Sequence, residues 1–316
     1  MKTDLAHLPP RKRSELERVV TLVFEYFDVA TAEHARDWKK KGRINKIILY
    51  GSHARGSWVH EPHTIKGYRS DFDILVIVNN KRLTDPKFWY GLETHLQEEF
   101  TNTVMRTPVS LIVHSLQEVN NDLAQGRYFF VDIAREGVIL YESDTKALRK
   151  PIAKTPADAL AQAREYYDSW YPDAAEFYDD FKSNLEKGRL RKAAFELHQC
   201  VEQLYHTVLL VMTSYTPHSH NIRHLRHLAE QIDRRLVYVW PTDTKRLDTM
   251  FSRLKDAYVK ARYSKQYYIS NETLIWLGKQ TEELARVTKD VCCQRIKQLE
   301  SDVSTSDQIC AMVANT

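Results

Sequence analysis

Two short stretches decide the fold of the first half of this chain. Residues 47–57 read Ile-Ile-Leu-Tyr-Gly-Ser-His-Ala-Arg-Gly-Ser, and residues 70–78 read Ser-Asp-Phe-Asp-Ile-Leu-Val-Ile-Val. Each contains a short apolar run rich in β-branched residues, which predicts a buried strand. The second strand begins with Asp71 and Asp73. Because residues i and i+2 share one face of a strand, we expect these carboxylates to point the same way and to hold a hard cation together.

The Gly51-Ser52 turn follows the first strand directly. A strand that turns tightly into a helix leaves backbone N–H groups free above the turn, and such groups favour phosphate. A Mg²⁺ ion on two aspartates beside a phosphate cradle suits nucleotidyl transfer, because the metal neutralises triphosphate charge and aligns an attacking hydroxyl. Either half alone is also common as a plain surface turn or strand start. Both halves in this order, each on a buried strand, favour the functional interpretation.

The combination resembles the DNA polymerase β-like nucleotidyltransferase superfamily, whose signature is a Gly-Ser turn followed after a gap by Asp-x-Asp. Within it the chain is most similar to the minimal nucleotidyltransferases and to the kanamycin and streptomycin nucleotidyltransferases. The resemblance implies that the Gly-Ser turn binds the β- and γ-phosphates of an NTP, and that Asp71 and Asp73 are catalytic and bind Mg²⁺. The candidate nucleotide-binding residues are Gly51, Ser52, Arg55 and Arg69.

Two features depart from the family pattern. The loop over residues 56–69 is longer than in the compact form, and its basic residues show no metal-ligand spacing. The superfamily also commonly carries a third carboxylate on the strand paired with the Asp-x-Asp strand, where it deprotonates the acceptor hydroxyl. Here that strand, predicted at residues 108–114, contains no acid. Four acids remain as candidates for the general base, with no ground in the sequence for choosing among them: Glu118, Asp132, Glu136 and Glu142.

Strand and helix patterns alternate through the first half of the chain, which predicts an α+β domain with a small mixed sheet. Its first helix is expected to start at Ser14, an N-cap residue with Glu17 completing a capping box. Beyond a polar stretch with two prolines, nearly every pattern is helical. We predict a nucleotidyltransferase domain at 1–142, a linker at 143–155, an all-α helical bundle at 156–299 and a disordered tail at 300–316.

Three stretches of the helical half form a recognisable series. They read Phe-Glu-Leu-His-Gln-Cys-Val-Glu-Gln-Leu-Tyr-His at 195–206, Tyr-Thr-Pro-His-Ser-His-Asn-Ile at 215–222 and Tyr-Val-Lys-Ala-Arg-Tyr at 258–263. Their order and spacing resemble a HEPN domain, a helical bundle found beside such enzymes. Ribonuclease members of that superfamily carry an Arg, a gap of four to six residues and a His. Here Tyr267 stands where the histidine would follow Arg262, and a phenol with a reference pKa of about 10 is a poor proton shuttle at neutral pH.

Other residues of the helical half invite a functional interpretation. Arg191 and His198 have the bare ribonuclease spacing, but His198 falls on an apolar helix stripe, where a core histidine is the usual case. Two groups of side chains are candidates for contacts to phosphate or to an anionic substrate, with an exposed basic helix start as the alternative for the first. The first group is His218, His220, Arg223, His224, Arg226 and His227, and the second is Arg262, Lys265, Tyr267 and Tyr268.

Composition sets broad limits. A formal net charge of +4 over 316 residues permits contact with nucleotides or nucleic acid without arguing for it. The four cysteines show neither metal spacing nor a disulfide framework, which fits a reducing cytosol. No apolar run approaches the roughly 20 residues that span a membrane. We therefore expect a cytoplasmic protein without a membrane partner, and a homodimer through the helical domain stays an option.

Three functions follow from these patterns, in decreasing order. The first is a Mg²⁺-dependent nucleotidyltransferase that moves a nucleoside monophosphate from an NTP, ATP by default, to an acceptor hydroxyl on a small molecule, a protein or RNA. The second is a nucleotide- or RNA-binding regulator, of a toxin–antitoxin or defence type, with weak or no turnover; the acid-free strand favours it. The third is a HEPN ribonuclease, placed last because of Tyr267.

Overall fold

The computed structural model describes residues 1–32, 37–58, 70–102, 104–143, 147–152, 154–217, 219–241 and 244–314, with the backbone alone at 37 and at 307–314. The chain divides into two compact units, Met1–Ala153 and Lys154–Thr316. The predicted linker at 143–155 contains this division. Across the described residues, every helix is too short or too polar to cross a membrane.

The N-terminal unit combines a four-stranded sheet with helices, as the sequence predicts. Its elements are α1 (Pro10–Ala32), α2 (Asp37–Lys40), β1 (Ile44–Tyr50), α3 (Gly51–Arg55), β2 (Phe72–Val78), a 3₁₀ helix (Lys81–Thr84), α4 (Pro86–Thr101), β3 (Val109–Ser115), α5 (Leu116–Ala124), α6 (Tyr128–Glu136) and β4 (Val138–Glu142). The strand order is β3-β2-β1-β4. β1 runs antiparallel to β2 and β4, whereas β2 and β3 are parallel, so the sheet is mixed.

The strand register gathers four strand ends at one edge of this sheet. Tyr50 at the end of β1 pairs with Asp73 near the start of β2, and Asp73 pairs with Ser110 near the start of β3. Leu49 pairs with Val138, the first residue of β4. We call this the site edge, because it carries the Gly-Ser turn and the Asp-x-Asp pair. All seven residues of β2 are buried, so the strand that bears the carboxylates is held on both faces.

The first helix begins earlier than the capping pattern predicts. The structure places its start at Pro10 instead of Ser14, and the Arg13 amide already donates to the Pro9 carbonyl at 3.2 Å. Proline is favoured in the first helical turn because its missing N–H is not needed there. The predicted capping box of Ser14 and Glu17 is therefore wrong. The inner face of the helix is as predicted, and Val19 and Val23 are fully buried in the core against the sheet.

The described part of the C-terminal unit has only helices as regular structure. They are α7 (Pro156–Glu186), α8 (Leu190–Thr213), α9 (Ile222–Ile232), a 3₁₀ helix (Arg234–Tyr238), α10 (Lys245–Tyr263) and α11 (Asn271–Ala314). Thr155 caps α7 as predicted, because its hydroxyl accepts from the Asp158 amide. α8 is the central helix and packs against the other four α-helices. The predicted all-α bundle is thus confirmed.

The end of the chain differs from its prediction. The sequence predicts a disordered tail from Glu300, but the structure continues α11 to Ala314. Ser304 and Thr305 donate their hydroxyls to the carbonyls of Glu300 and Ser301 at 3.0 Å each, and Arg164 of α7 pairs with Glu300 at 2.7 Å. Polar residues that would not nucleate a helix can extend one that packing already holds, because propagation fixes few new dihedrals for each hydrogen bond.

Candidate functional site

The Gly-Ser turn lies at the site edge, where β1 passes directly into α3. Gly51 has a φ of +71°, in the left-handed region that glycine adopts without a Cβ clash. The next residue, Ser52, has a buried hydroxyl oxygen that makes no hydrogen bond with a described residue. Buried polar atoms are nearly always paired, so an unpaired one in a native structure calls for a ligand or another explanation. A phosphate oxygen fits this position.

The two carboxylates lie next to this turn. Tyr50, the residue before Gly51, is the direct cross-strand partner of Asp73. Asp73 is fully buried and Asp71 half-buried, whereas the Phe72 ring between them belongs to the core on the other face of the sheet. This is the alternation that the sequence predicts for the Asp-x-Asp strand.

The donor set at this edge fits a magnesium ion that arrives with a nucleotide. Within the described residues, no group of three or more His, Cys, Asp or Glu side chains is arranged to hold a metal. Mg²⁺ does not need such a cage, because it is usually bound by one or two carboxylates together with substrate phosphates and water. Asp71 and Asp73 supply the carboxylates, and the turn at Ser52 supplies the neighbouring phosphate position.

A buried histidine ties the turn to the carboxylate strand. The Nδ1 atom of His53, in α3, lies 2.9 Å from the backbone oxygen of Asp71, and its Nε2 atom lies 3.1 Å from Nζ of Lys12 in α1. Burial, followed by the nearby Lys12 charge, lowers the pKa of His53 to about 3. The neutral ring therefore donates from Nδ1 to Asp71 and accepts at Nε2 from Lys12, which assigns its tautomer from its partners.

The hydrogen bonds continue from Lys12 into the segment before β3. Lys12 also donates to the Thr107 hydroxyl at 3.1 Å, and Thr107 donates to a buried oxygen of Glu15 at 2.6 Å. Burial lowers the pKa of the Lys12 amine. The sequence reasoning missed these residues, although His53 lies inside the motif. The one available signal was a charged residue, Lys12, near the start of an otherwise amphipathic helix.

The two arginines predicted at the site differ in what is known of them. Arg55, the last residue of α3, is 44% exposed, and its guanidinium lies 3.7 Å from a carboxylate oxygen of Glu136. Arg69 lies outside the described residues, as do the loop residues His60, His63 and Lys66. Arg55 is thus near the Gly-Ser turn, and the prediction for Arg69 stays a prediction.

The four candidate bases separate by the ends of the strands. Residue 110, opposite Asp73 on β3, is a buried serine, and β3 contains no acid. Glu118 caps α5 beyond the far end of β3, where it completes a capping box with Ser115. Glu142 pairs with Lys46 near the start of β1, also away from the site edge.

The remaining two candidates, Asp132 and Glu136, are on α6. This helix lies over the face of the sheet that carries Asp73, because directly paired residues share a face and Tyr50 contacts Phe129 of α6 with ring centroids 5.5 Å apart. Both acids are ion-paired with Arg135, at 2.7 and 2.8 Å. The structure therefore associates two of the four candidate acids with the site edge.

In the helical unit, the residues at the ribonuclease position are absorbed into the fold. Tyr267 is buried and donates its hydroxyl to the backbone oxygen of Arg253 at 3.0 Å, and burial raises its pKa. The Arg262 guanidinium donates to the Tyr258 carbonyl at 2.8 Å and lies 4.5 Å from the centre of that ring. Tyr267 is therefore unsuited to proton transfer by its surroundings as well as by its chemistry.

The earlier Arg and His pair is also structural. Arg191 donates twice to the carbonyl of Ala261 at the end of α10, at 3.1 and 2.7 Å. His198 is fully buried, and burial lowers its pKa to about 4. The core position that the sequence predicts for His198 is confirmed.

The histidine-rich group before and in α9 does not form one site in the described residues. His220 donates from Nδ1 to Glu202 at 2.9 Å and stacks on Tyr258 with ring centroids 4.1 Å apart. Arg223 and Arg226 instead pair with acids of the bundle, Asp248 at 2.9 Å and Glu230 at 2.6 Å, and His218 lies outside the described residues.

Comparisons with known proteins bear on these two units differently. Residues 167–292 match the HEPN domain family, which confirms the predicted HEPN domain. A solved structure of a nucleotidyltransferase-like protein from Exiguobacterium sibiricum 255-15 is similar to 80% of this chain over 72% of its own length, with 13% sequence identity and a TM-score of 0.27. A comparison with curated proteins found no match. The chain therefore carries a HEPN domain behind an N-terminal mixed-sheet unit.

Proposed function

We propose that the N-terminal unit is a nucleotidyltransferase that uses Mg²⁺ to move a nucleoside monophosphate from an NTP, ATP by default, to an acceptor hydroxyl. One observation carries the proposal. The pairing of Tyr50 with Asp73 puts the Gly-Ser turn and the Asp-x-Asp strand side by side at one edge of the sheet. A phosphate-binding turn next to two carboxylates is the arrangement that a metal-bound triphosphate requires.

Each residue of the edge has a role in this proposal. Asp71 and Asp73 would hold the metal, which supplies neutralisation of the triphosphate charge when bound. The unpaired Ser52 hydroxyl and the backbone N–H groups of the turn would bind the β- and γ-phosphates. Arg55 adds a positive charge beside the turn. Catalysis would come mostly from positioning and electrostatics, as in other phosphoryl and nucleotidyl transfers.

For the acceptor step, we propose that α6 supplies the general base. The serine opposite Asp73 cannot do so in the way a carboxylate would, and Glu118 and Glu142 lie away from the site edge. Asp132 and Glu136 remain on the helix that covers the correct face. The acceptor hydroxyl would belong to a small molecule, a protein or RNA, and the reaction would take place in the cytoplasm.

A nucleotide- or RNA-binding regulator with weak or no turnover is the second candidate. The observation that favours it is the buried serine at position 110, opposite Asp73 on the acid-free strand β3. Under this alternative, the site edge would bind an NTP with its metal but would not transfer it. Ribonuclease activity at Arg262 is not proposed, because Tyr267 is committed to a structural hydrogen bond.

The two candidates separate in one experiment. The full chain is incubated with Mg²⁺ and α-labelled NTPs, with and without candidate acceptors, and pyrophosphate release is measured together with NTP binding. We expect Asp71→Asn/Asp73→Asn to lower turnover by about a thousandfold, whereas Asp28→Asn, on the exposed face of α1, leaves it unchanged. Turnover that persists in the double variant would contradict the mechanism. Tight NTP binding without pyrophosphate release would establish the regulator.

A further inference from the structure

The peptide unit between Asp71 and Phe72 is held at both of its polar ends. Its oxygen, the Asp71 carbonyl, accepts from His53 at 2.9 Å, and its N–H, on Phe72, donates to the Pro108 carbonyl at 2.8 Å. The Pro108 bond belongs to the pairing of β2 with β3, whereas the His53 bond comes from α3. One peptide is therefore tied both to the neighbouring strand and to the helix that begins at the Gly-Ser turn.

His53 is itself fixed on every side. Its own backbone oxygen accepts from His7 at 2.8 Å, and its ring lies between Trp58, stacked at a centroid distance of 5.6 Å, and Phe72, edge-on at 4.7 Å. Lys12 closes the remaining nitrogen. A fully buried imidazole with both nitrogens paired and both faces packed has no alternative position, so it transmits the position of α3 to the Asp71 peptide without slack.

The chain of hydrogen bonds also reaches α1 and the segment before β3. Lys12 bridges His53 and the Thr107 hydroxyl, and Glu15 accepts from both Thr107 and the Arg106 amide at 2.6 and 3.0 Å. The same helix thus braces α3 and the residues that lead into β3. The two components of the proposed nucleotide site, the turn and the carboxylate strand, share one internal brace that neither component contacts through its own side chains.

We propose that His53 is a positioning residue of the nucleotide site, which holds the Asp71 backbone at a fixed distance from the Gly51-Ser52 turn. The inference rests on the proposed function, because it assigns His53 to the site where metal and triphosphate would be bound together. It touches neither ligand. Its effect is on geometry, and a displacement of about 1 Å at a site of this kind lowers rate or affinity by as much as a hundredfold.

The test is a titration of a fluorescent ATP analogue, N-methylanthraniloyl-ATP, with Mg²⁺ in the full chain. His53→Phe keeps the ring contacts but loses both hydrogen bonds, and we expect the Mg²⁺ concentration for half-maximal binding to rise about tenfold to a hundredfold. His53→Asn carries an amide that replaces the Nδ1 donor, so it should recover most of the wild-type affinity. His114→Phe is the matched control, because His114 packs edge-on against Phe130 toward the far end of β3.

Folding is followed in each variant by circular dichroism and thermal melting. If His53→Phe does not fold, Lys12→Met is the second test, because it leaves the histidine in place and removes only its outer partner; we expect a shift of about threefold to tenfold. A folded His53→Phe or Lys12→Met that binds like the wild type, or a His114→Phe shift as large as theirs, overturns the positioning role alone. A wild-type chain that binds no nucleotide with Mg²⁺ overturns the proposed function and this inference with it.

Discussion

The site edge of the N-terminal unit and the α8–α10 face of the C-terminal unit both carry residues typical of catalysts, but they use them differently. At the site edge, Asp71 and Asp73 stand beside a turn with an unpaired buried hydroxyl. On the α8–α10 face, Arg191 and Tyr267 spend their polar groups on backbone carbonyls of the same bundle. Residue type alone therefore does not identify a site. What distinguishes the two regions is whether polar groups are already used by the fold.

The buried histidines of the two units show the same contrast. His53 pairs both ring nitrogens and orders the residues around a site. Neither nitrogen of His198 makes a hydrogen bond of normal geometry to a described residue, and the Glu202 carboxylate lies 3.5 Å from its Nδ1. A buried polar atom without a partner costs stability. His198 therefore loads the helical bundle, whereas His53 braces the sheet edge.

The strongest test of the site edge is the removal of acids from α6. We expect Glu136→Gln or Asp132→Asn to lower the turnover number for nucleotidyl transfer by about a hundredfold or more, because general-base catalysis contributes about 10²- to 10⁴-fold. The readout is pyrophosphate release at saturating NTP and acceptor. NTP binding should change by less than about threefold, since the base acts on the acceptor and not on the triphosphate.

Glu118→Gln is the control for this prediction. Glu118 lies beyond the far end of β3, and glutamine preserves its capping box with Ser115, so turnover should stay within about twofold. Equal turnover in the wild type and in both α6 variants would remove α6 from the mechanism. The distinction between the two regions would then rest on the carboxylate pair and the turn.

The bundle is expected to lose stability as the pH falls. The folded-state pKa of His198, about 4, lies below its unfolded value of 6.5, so the unfolded state binds the proton more readily. Stability is thus lost as the pH falls from about 6.5 to about 4 and changes no further below that, with a total of about 3 kcal/mol from this residue. Three groups face the ring, Glu202 on the same helix, His220 before α9 and Tyr258 on α10.

Hydrogen exchange of the α8 amides, corrected for intrinsic rates, measures this effect apart from the N-terminal unit. His198→Asn should remove most of the pH dependence between 6.5 and 4. Glu202 acts with the same sign, since hydrogen bonds from His206 and His220 lower its pKa despite its burial, so some dependence should remain at the acidic end. A wild-type slope that is unchanged in His198→Asn would mean that the ring is not held neutral by burial.

The sequence predicts much of the site edge because its signals are local. An apolar run, a Gly-Ser turn and an Asp-x-Asp spacing each act over a few residues, and the observed pairing of Tyr50 with Asp73 unites them. The His53 brace left no comparable pattern. It joins Lys12 to a backbone oxygen at Asp71, and a bond to a backbone carbonyl places no demand on the side chain of its partner.

The candidate bases could not be sorted from the sequence for a related reason. Glu118 and Glu142 are as close to the motif in chain order as the acids of α6, and only the strand register separates the two ends of the sheet. The disordered tail was predicted from composition, which does not register that α11 is already held by packing when it reaches Glu300. Long-range register and inherited helix extension are both invisible to local patterns.

The smallest expected effect concerns Tyr267, on the structural side of the comparison. Tyr267→Phe removes the hydroxyl that donates to the Arg253 carbonyl at 3.0 Å and keeps the buried ring. We expect the free energy of unfolding of the bundle to fall by about 1 kcal/mol, the usual net value of such a hydrogen bond, with nucleotide turnover unchanged. Urea unfolding followed by α10 hydrogen exchange measures the loss.

Tyr267→His supplies the companion test, because it restores the Arg-x₄-His spacing at Arg262. We expect no RNA cleavage from this variant. Its imidazole would enter a buried position that faces the Arg253 carbonyl, and the Arg262 guanidinium is already engaged with the carbonyl and ring of Tyr258. Cleavage of a labelled RNA by Tyr267→His, abolished by adding Arg262→Ala, would show that this region is a ribonuclease site lacking one group instead of a structural face. It would also mean that the spacing of residues along the chain outweighs their burial as a guide to function.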